Sequence, residues 1–190
     1  LIGLCSGAKK FGDDYIEPLI KAADWLVQTQ NKNGSWTKFP SHIVSASGAK
    51  TYENHVVLGL LAAAKITGSE AYGNSAMKNA MWSINHQNNN GWFRKCSFEN
   101  DSAPLTHLIG YAFRGILESY IYSKNKDIMN ANLIIADNIK SIIKPNGFLP
   151  GRLSKNWSGP NSWSCLTGNV QIAYCFLKLF QITRNNDYLK

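Results

Sequence analysis

Gln30-Asn31-Lys32-Asn33-Gly34-Ser35-Trp36 returns one repeat later as Gln87-Asn88-Asn89-Asn90-Gly91-Trp92-Phe93. Both stretches read Gln, three residues, Gly, one residue, aromatic. A third copy, Ile143-Lys144-Pro145-Asn146-Gly147-Phe148-Leu149, keeps the Gly and loses the Gln. The three glycines lie 57 and 56 residues apart. Self-similarity at one period marks an architecture of equivalent units. Within each unit the sense is local: a helix ends at the Gln, the Gly supplies a backbone state other residues avoid, and the aromatic anchors the turn.

Outward from this signal the chain alternates between two kinds of helix. Before the first copy, Ile16, Leu19, Ile20, Ala23, Leu26 and Val27 recur at spacings of three and four. That period predicts an amphipathic helix over 13–30, capped by Asp13 or Asp14. Segments 70–87 and 126–143 repeat the plan. Between them, 51–66, 104–123 and 164–182 are apolar round most of their circumference, which marks inner helices, more buried than the outer ones. Long loops lead inward and short turns lead back out, giving repeats over about 13–68, 69–125 and 126–185. The fold expected is all-α, an α/α toroid of three outer/inner helical pairs in a single domain. Residues 1–7 read as the tail of a helix already under way and 186–190 as the start of another, so a fragment of a larger ring is expected. Every long loop precedes an inner helix, so the loops should gather at one end, beside helix N-termini that favour anions.

Bulk properties narrow the partner. Of 190 residues, 44% are hydrophobic and 17% charged, which excludes a disordered chain. No apolar run reaches the ~18 residues of a membrane span. The net charge of +8 suits an anionic partner, but the basic residues are scattered without a run, which argues against nucleic acid. Cys5, Cys96, Cys165 and Cys175 form no CxxC pair and match no zinc spacing, so free thiols, no metal and a reducing, cytoplasmic setting are expected. No Gly-rich phosphate loop or HExxH occurs, and no cofactor is expected.

The Gln-x-x-x-Gly-x-Trp segment resembles the QW repeat of squalene and terpenoid cyclases, and more loosely the repeats of protein prenyltransferases. With Pro104-Leu105-Thr106-His107 and Cys165-Leu166-Thr167-Gly168-Asn169, the whole chain is similar to bacterial α/α-toroid proteins associated with polysaccharide biosynthesis. That resemblance implies a carbohydrate-directed protein. The cyclase's Asp-x-Asp-Asp acid and the prenyltransferase's zinc ligands have no counterpart here. The competing expectations are a terpenoid cyclase or prenyltransferase-like enzyme, and a non-catalytic helical-repeat binding module.

Polar groups at the mouth of apolar helices need a reason. Aligning the inner helices places Thr51, His107 and Thr167 together and sets Glu53, His55, His107, Asn169 and Gln171 at one end. His107 and Glu53 are the expected acid/base pair of a lyase, hydrolase or epimerase. His55, Asn169 and Gln171 are expected to bind substrate, as are Asp101 and Arg152 from the loops. Trp157 and Trp163 are expected to stack on sugar rings, and Arg152 to hold an acidic saccharide. Trp36 and Trp92 are expected to be structural, and Arg114 to pair with Glu118 one turn on.

Overall fold

The alternation of amphipathic and apolar stretches builds seven α-helices in the residues that the computed structural model describes, 1–39, 48–99, 103–159 and 161–189. They are α1 (Ile2–Phe11), α2 (Ile16–Thr29), α3 (Val56–Thr67), α4 (Glu70–Ile84), α5 (Thr106–Ser123), α6 (Lys126–Ile142) and α7 (Leu166–Thr183). Among the described residues no strand forms beyond two isolated bridges, Gln87 with Phe93 and Leu105 with Arg152. The inner helices follow one another: α1 packs on α3, α3 on α5 and α5 on α7. Helices α2, α4 and α6 form the outer layer. The chain is an α/α toroid segment, and the stretch before the first repeat supplies an inner helix of its own.

Two apolar clusters fill the space between layers. One gathers Leu19, Val57, Leu60 and Ala76 from α2, α3 and α4. The other gathers Phe113, Ile116, Leu117, Ile135 and Leu179 from α5, α6 and α7. Helices α3 and α5 are the buried inner elements that the sequence predicts. Helix α7 departs from that expectation. Leu166, Val170 and Leu177 are 77%, 67% and 53% exposed. Helix α5 covers one flank of α7, and this apolar stripe on the other flank faces solvent.

The repeat signal works as a bolt between outer helices. Gln30 Nε2 donates to the carbonyls of Gly34 and Ser75, each at 2.9 Å, and Ser75 Oγ returns a bond to Gln30 Oε1. Gln87 Nε2 likewise donates to Gly91 O at 3.2 Å and Ala131 O at 3.1 Å. Each amide thus ties the end of one outer helix to the start of the next. The glycines let the backbones meet. Gly34 (φ +93°) lies against the Lys78 carbonyl, and a Cβ on Gly91 (φ +80°) would stand 3.0 Å from the Ile135 backbone. The expected acidic cap is absent: Asp13 and Asp14 enter a short 3-10 turn, and the N-cap of α2 is Tyr15, with no side-chain cap bond.

The long loops are laced together at one end. Thr51 Oγ1 donates to Arg94 O at 3.0 Å, and Thr106 Oγ1 makes the equivalent bond to Pro150 O at 2.6 Å. Asn90 Nδ2 reaches Lys155 O, and Trp157 Nε1 reaches back to Asn90 O, both at 2.8 Å. Thr51 therefore matches Thr106, one residue away from the alignment on His107 that the sequence suggested.

Candidate active site

Helix α5 carries His107, Tyr111, Arg114 and Glu118 at steps of four, three and four, which puts them on one face. The His55 ring, at the entry of α3, lies 4.3 Å from the Tyr111 ring at 32°, and the His107 ring lies 5.4 Å from it at 70°. Phe98 closes on His107 at 6.2 Å and on Tyr52 at 5.3 Å. Cys165, the N-cap of α7, sets its Sγ 3.6 Å from His107 Nδ1. Glycine makes these approaches possible: a Cβ on Gly168 would stand 2.7 Å from the His107 backbone nitrogen.

Deeper along the same face, Arg114 Nη1 donates to Gln171 Oε1 at 3.0 Å, and its guanidinium lies 4.2 Å over the Tyr174 ring. The Tyr174 hydroxyl donates to Glu118 at 2.7 Å. The expected Arg114–Glu118 ion pair is therefore absent; Tyr174, supplied by α7, engages both residues. Below the histidines a cavity of about 370 Å³ is lined by residues of all four inner helices, among them Lys9, Lys65, Arg114, Glu118 and Tyr174.

Burial governs the protonation states. It lowers the pKa of His107, and it lowers that of His55 with the Arg114 charge adding to the effect. Both imidazoles are therefore biased towards the neutral form near pH 7. Burial and the bond to Glu118 push the Tyr174 hydroxyl up to about 12. His55 Nδ1, Arg114 Nε and Asn169 Oδ1 are buried without a protein partner.

The residues expected from sequence divide into groups. His107 and His55 both pack on Tyr111 at the inner-helix mouth, Asn169 stands in the first turn of α7, and Gln171 sits deeper, accepting from Arg114. Glu53 does not join them. Its carboxylate accepts the Lys50 amide at 3.1 Å, and it lines a different pocket with Trp25, Trp36 and Phe39. Burial raises its pKa there. Trp157 is corrected outright: at 4% exposure, bonded to Asn90 and edge-on to Trp92 at 5.3 Å, it has no face free for a sugar. Trp163 is 45% exposed and lies across Gly151, so it keeps a usable face. Arg152 spends Nη1 on the Ala103 carbonyl at 2.9 Å. Asp101 lies outside the described residues. Trp36 and Trp92 serve the fold, as expected: Trp36 Nε1 bonds Leu26 O, and Trp92 is 2% exposed. Sequence reasoning missed Tyr111, Cys165, Tyr174 and the inward role of Arg114. The polar stripe along α5, an otherwise apolar helix, was the available signal.

No family model matches the chain, and no curated protein sequence matches it. Solved structures do match in fold. One is the unsaturated glucuronyl hydrolase of Bacillus sp. GL1, responsible for the degradation of glycosaminoglycan, at 15% identity over 94% of this chain and 52% of its own, TM-score 0.75. Another is the cellobiose 2-epimerase of Bacillus thermoamylovorans B4167, at 14% identity over 94% and 50%, TM-score 0.71. A third is a D-mannose isomerase, at 13% identity over 93% and 50%, TM-score 0.70. The chain spans about half the length of these structures. They establish the toroid fold.

Proposed function

We propose that the chain belongs to a carbohydrate-modifying enzyme that transfers protons at a sugar carbon, in the manner of an epimerase, isomerase or lyase. The observation that carries this reading is the pair His55 and His107, both packed on the Tyr111 ring. An imidazole kept neutral near pH 7 can take a proton from a sugar carbon, and the imidazolium so formed can hand it back, so either histidine can serve as the acid–base group. His107 keeps the role expected of it, and His55 takes the place expected of Glu53. Glycoside hydrolysis relies on two carboxyl groups flanking the bond. Among the described residues lining this cavity, the carboxylate is Glu118, held by Tyr174. The matched structures named for sugar hydrolysis, epimerisation and isomerisation support a saccharide as substrate.

In this reading the half-exposed Trp163 stacks on a sugar ring, and Asn169 and Gln171 hold hydroxyls. The place in polysaccharide biosynthesis or modification rests on the sequence resemblance. The Gln30 and Gln87 bolts favour a repeat device shared with the QW-repeat cyclases, while the histidines favour sugar over isoprenoid chemistry. None of Cys5, Cys96, Cys165 and Cys175 is joined in a disulfide, which supports a reducing, cytoplasmic setting. NMR of reducing and uronate-bearing disaccharides in D2O tests the proposal. Deuterium should enter at one sugar carbon, and His107→Asn should abolish it. No incorporation into any saccharide, in a chain shown to be folded, refutes it.

A further inference from the structure

The cavity below the histidines has its own chemistry. Among the described residues that line it, the cations are Lys9, Lys65 and Arg114 and the acid is Glu118. Glu118 receives the Tyr174 hydroxyl rather than a cation. Arg114 is fixed on two sides, by Gln171 at Nη1 and by the Tyr174 ring under its plane. Its Nε–H is buried without a partner. Leaving a buried donor unpaired costs about 1–3 kcal/mol, more when the group is charged. An unpaired donor on a guanidinium that the protein has already oriented calls for an acceptor supplied from elsewhere. The edge formed by Nε and Nη2 presents two parallel N–H groups, the geometry that matches both oxygens of one carboxylate.

We propose that Arg114 is the specificity-determining residue of this site and that it receives the carboxylate of a uronate-type sugar, with Lys9 and Lys65 extending the cationic floor beneath it. This rests on the reading of the chain as a carbohydrate-modifying enzyme and names its substrate class. It also moves the anion site from Arg152, whose guanidinium is bonded to Ala103, to the inner face of α5. Arg114 lies seven residues beyond His107, two helical turns or roughly 10 Å along the axis. A disaccharide spans that distance. A uronate ring seated at Arg114 would hold the neighbouring sugar beneath His55 and His107.

Titration calorimetry with glucuronate-bearing disaccharides and their neutral glucose counterparts tests this. The chain should bind the uronate form at least tenfold more tightly, with the gap narrowing as salt rises. Arg114→Gln should remove the preference. Arg114→Lys should restore only part of it, because a point charge replaces the fork. Equal binding of both sugars by the unaltered chain overturns the proposal while leaving the carbohydrate reading in place. Binding of neither overturns both. Should circular dichroism show Arg114→Gln unfolded, the surface pair Lys9→Gln/Lys65→Gln supplies the same readout. An uronate preference unchanged in that pair overturns the cationic floor, and one unchanged in folded Arg114→Lys overturns the fork.

Discussion

Replacing each repeat glycine by alanine separates backbone strain from helix contact. Gly34, Gly91 and Gly147 have φ of +93°, +80° and +80°, so all three variants bear a similar left-handed penalty of about 1–2 kcal/mol. Their neighbours differ. A Cβ at Gly147 meets nothing within 4 Å, so strain is the whole cost. At Gly91 the Cβ stands 3.0 Å from Ile135 backbone atoms, which cannot rotate away, and overpacking adds about 1–3 kcal/mol. At Gly34 the Cβ runs into the Lys78 carbonyl, where Asn79 and Gln30 also converge on the Gly34 oxygen, so the cost sits at or above the top of that range. The expected totals are about 1–2, 2–5 and at least 4 kcal/mol for Gly147, Gly91 and Gly34. At roughly 2–4 °C per kcal/mol for a chain of this size, the Gly147 variant melts a few degrees low and the Gly34 variant more than 8 °C low. Urea titration and thermal melts followed by circular dichroism read the series. Equal losses at the three sites would refute the reasoning, because dihedral strain alone would then explain them.

Leu117→Ala, at a fully buried position of α5, should cost about 2–5 kcal/mol in urea titration. Trp157→Ala should cost about 3–5 kcal/mol and leave sugar affinity per folded molecule unchanged. Trp163→Ala should do the reverse, weakening saccharide binding while the melt moves little. Burial depresses His55 and His107 below the ordinary imidazole value of 6.5, so the folded state binds fewer protons than the unfolded one. The stability tied to the neutral imidazoles is therefore complete above that value and is lost as pH falls through it towards the folded pKa values. Melts between pH 7.5 and 5.5 should show this loss, and it should shrink in a His55→Asn/His107→Asn variant.

What sequence could reveal follows from how far each determinant reaches. Helix type is written in a period of three and four, so residues 16–27 announce an amphipathic helix without outside information. The inner helices are equally plain, because a stretch such as Val56 to Ala64 holds no charge. Apolar residues do not say whether their partner is present, and so the sequence predicts burial for the flank of α7 at Val170 and Leu177 that the structure leaves open. Trp157 and Trp163 share one short loop, yet a bond to Asn90, 67 residues away, buries the first and leaves the second on Gly151. The one-residue error in register at Thr51 and Thr106 was set by loop carbonyls that no local pattern encodes. A spacing of four suggested an Arg114–Glu118 pair; Tyr174, from another helix, intervened.

The amide bolts also decide how this chain comes apart. Gln30 and Gln87 each reach only the next outer helix, so each unit draws its stability from itself and its immediate neighbours, as in a one-dimensional lattice. The third unit carries Ile143 where the others carry Gln, and α7 beyond it is covered on one flank. Opening is therefore graded along the chain, with the amide protons of α7 exchanging before those of α3. In such a lattice one unit can open and close again while its neighbours stay intact.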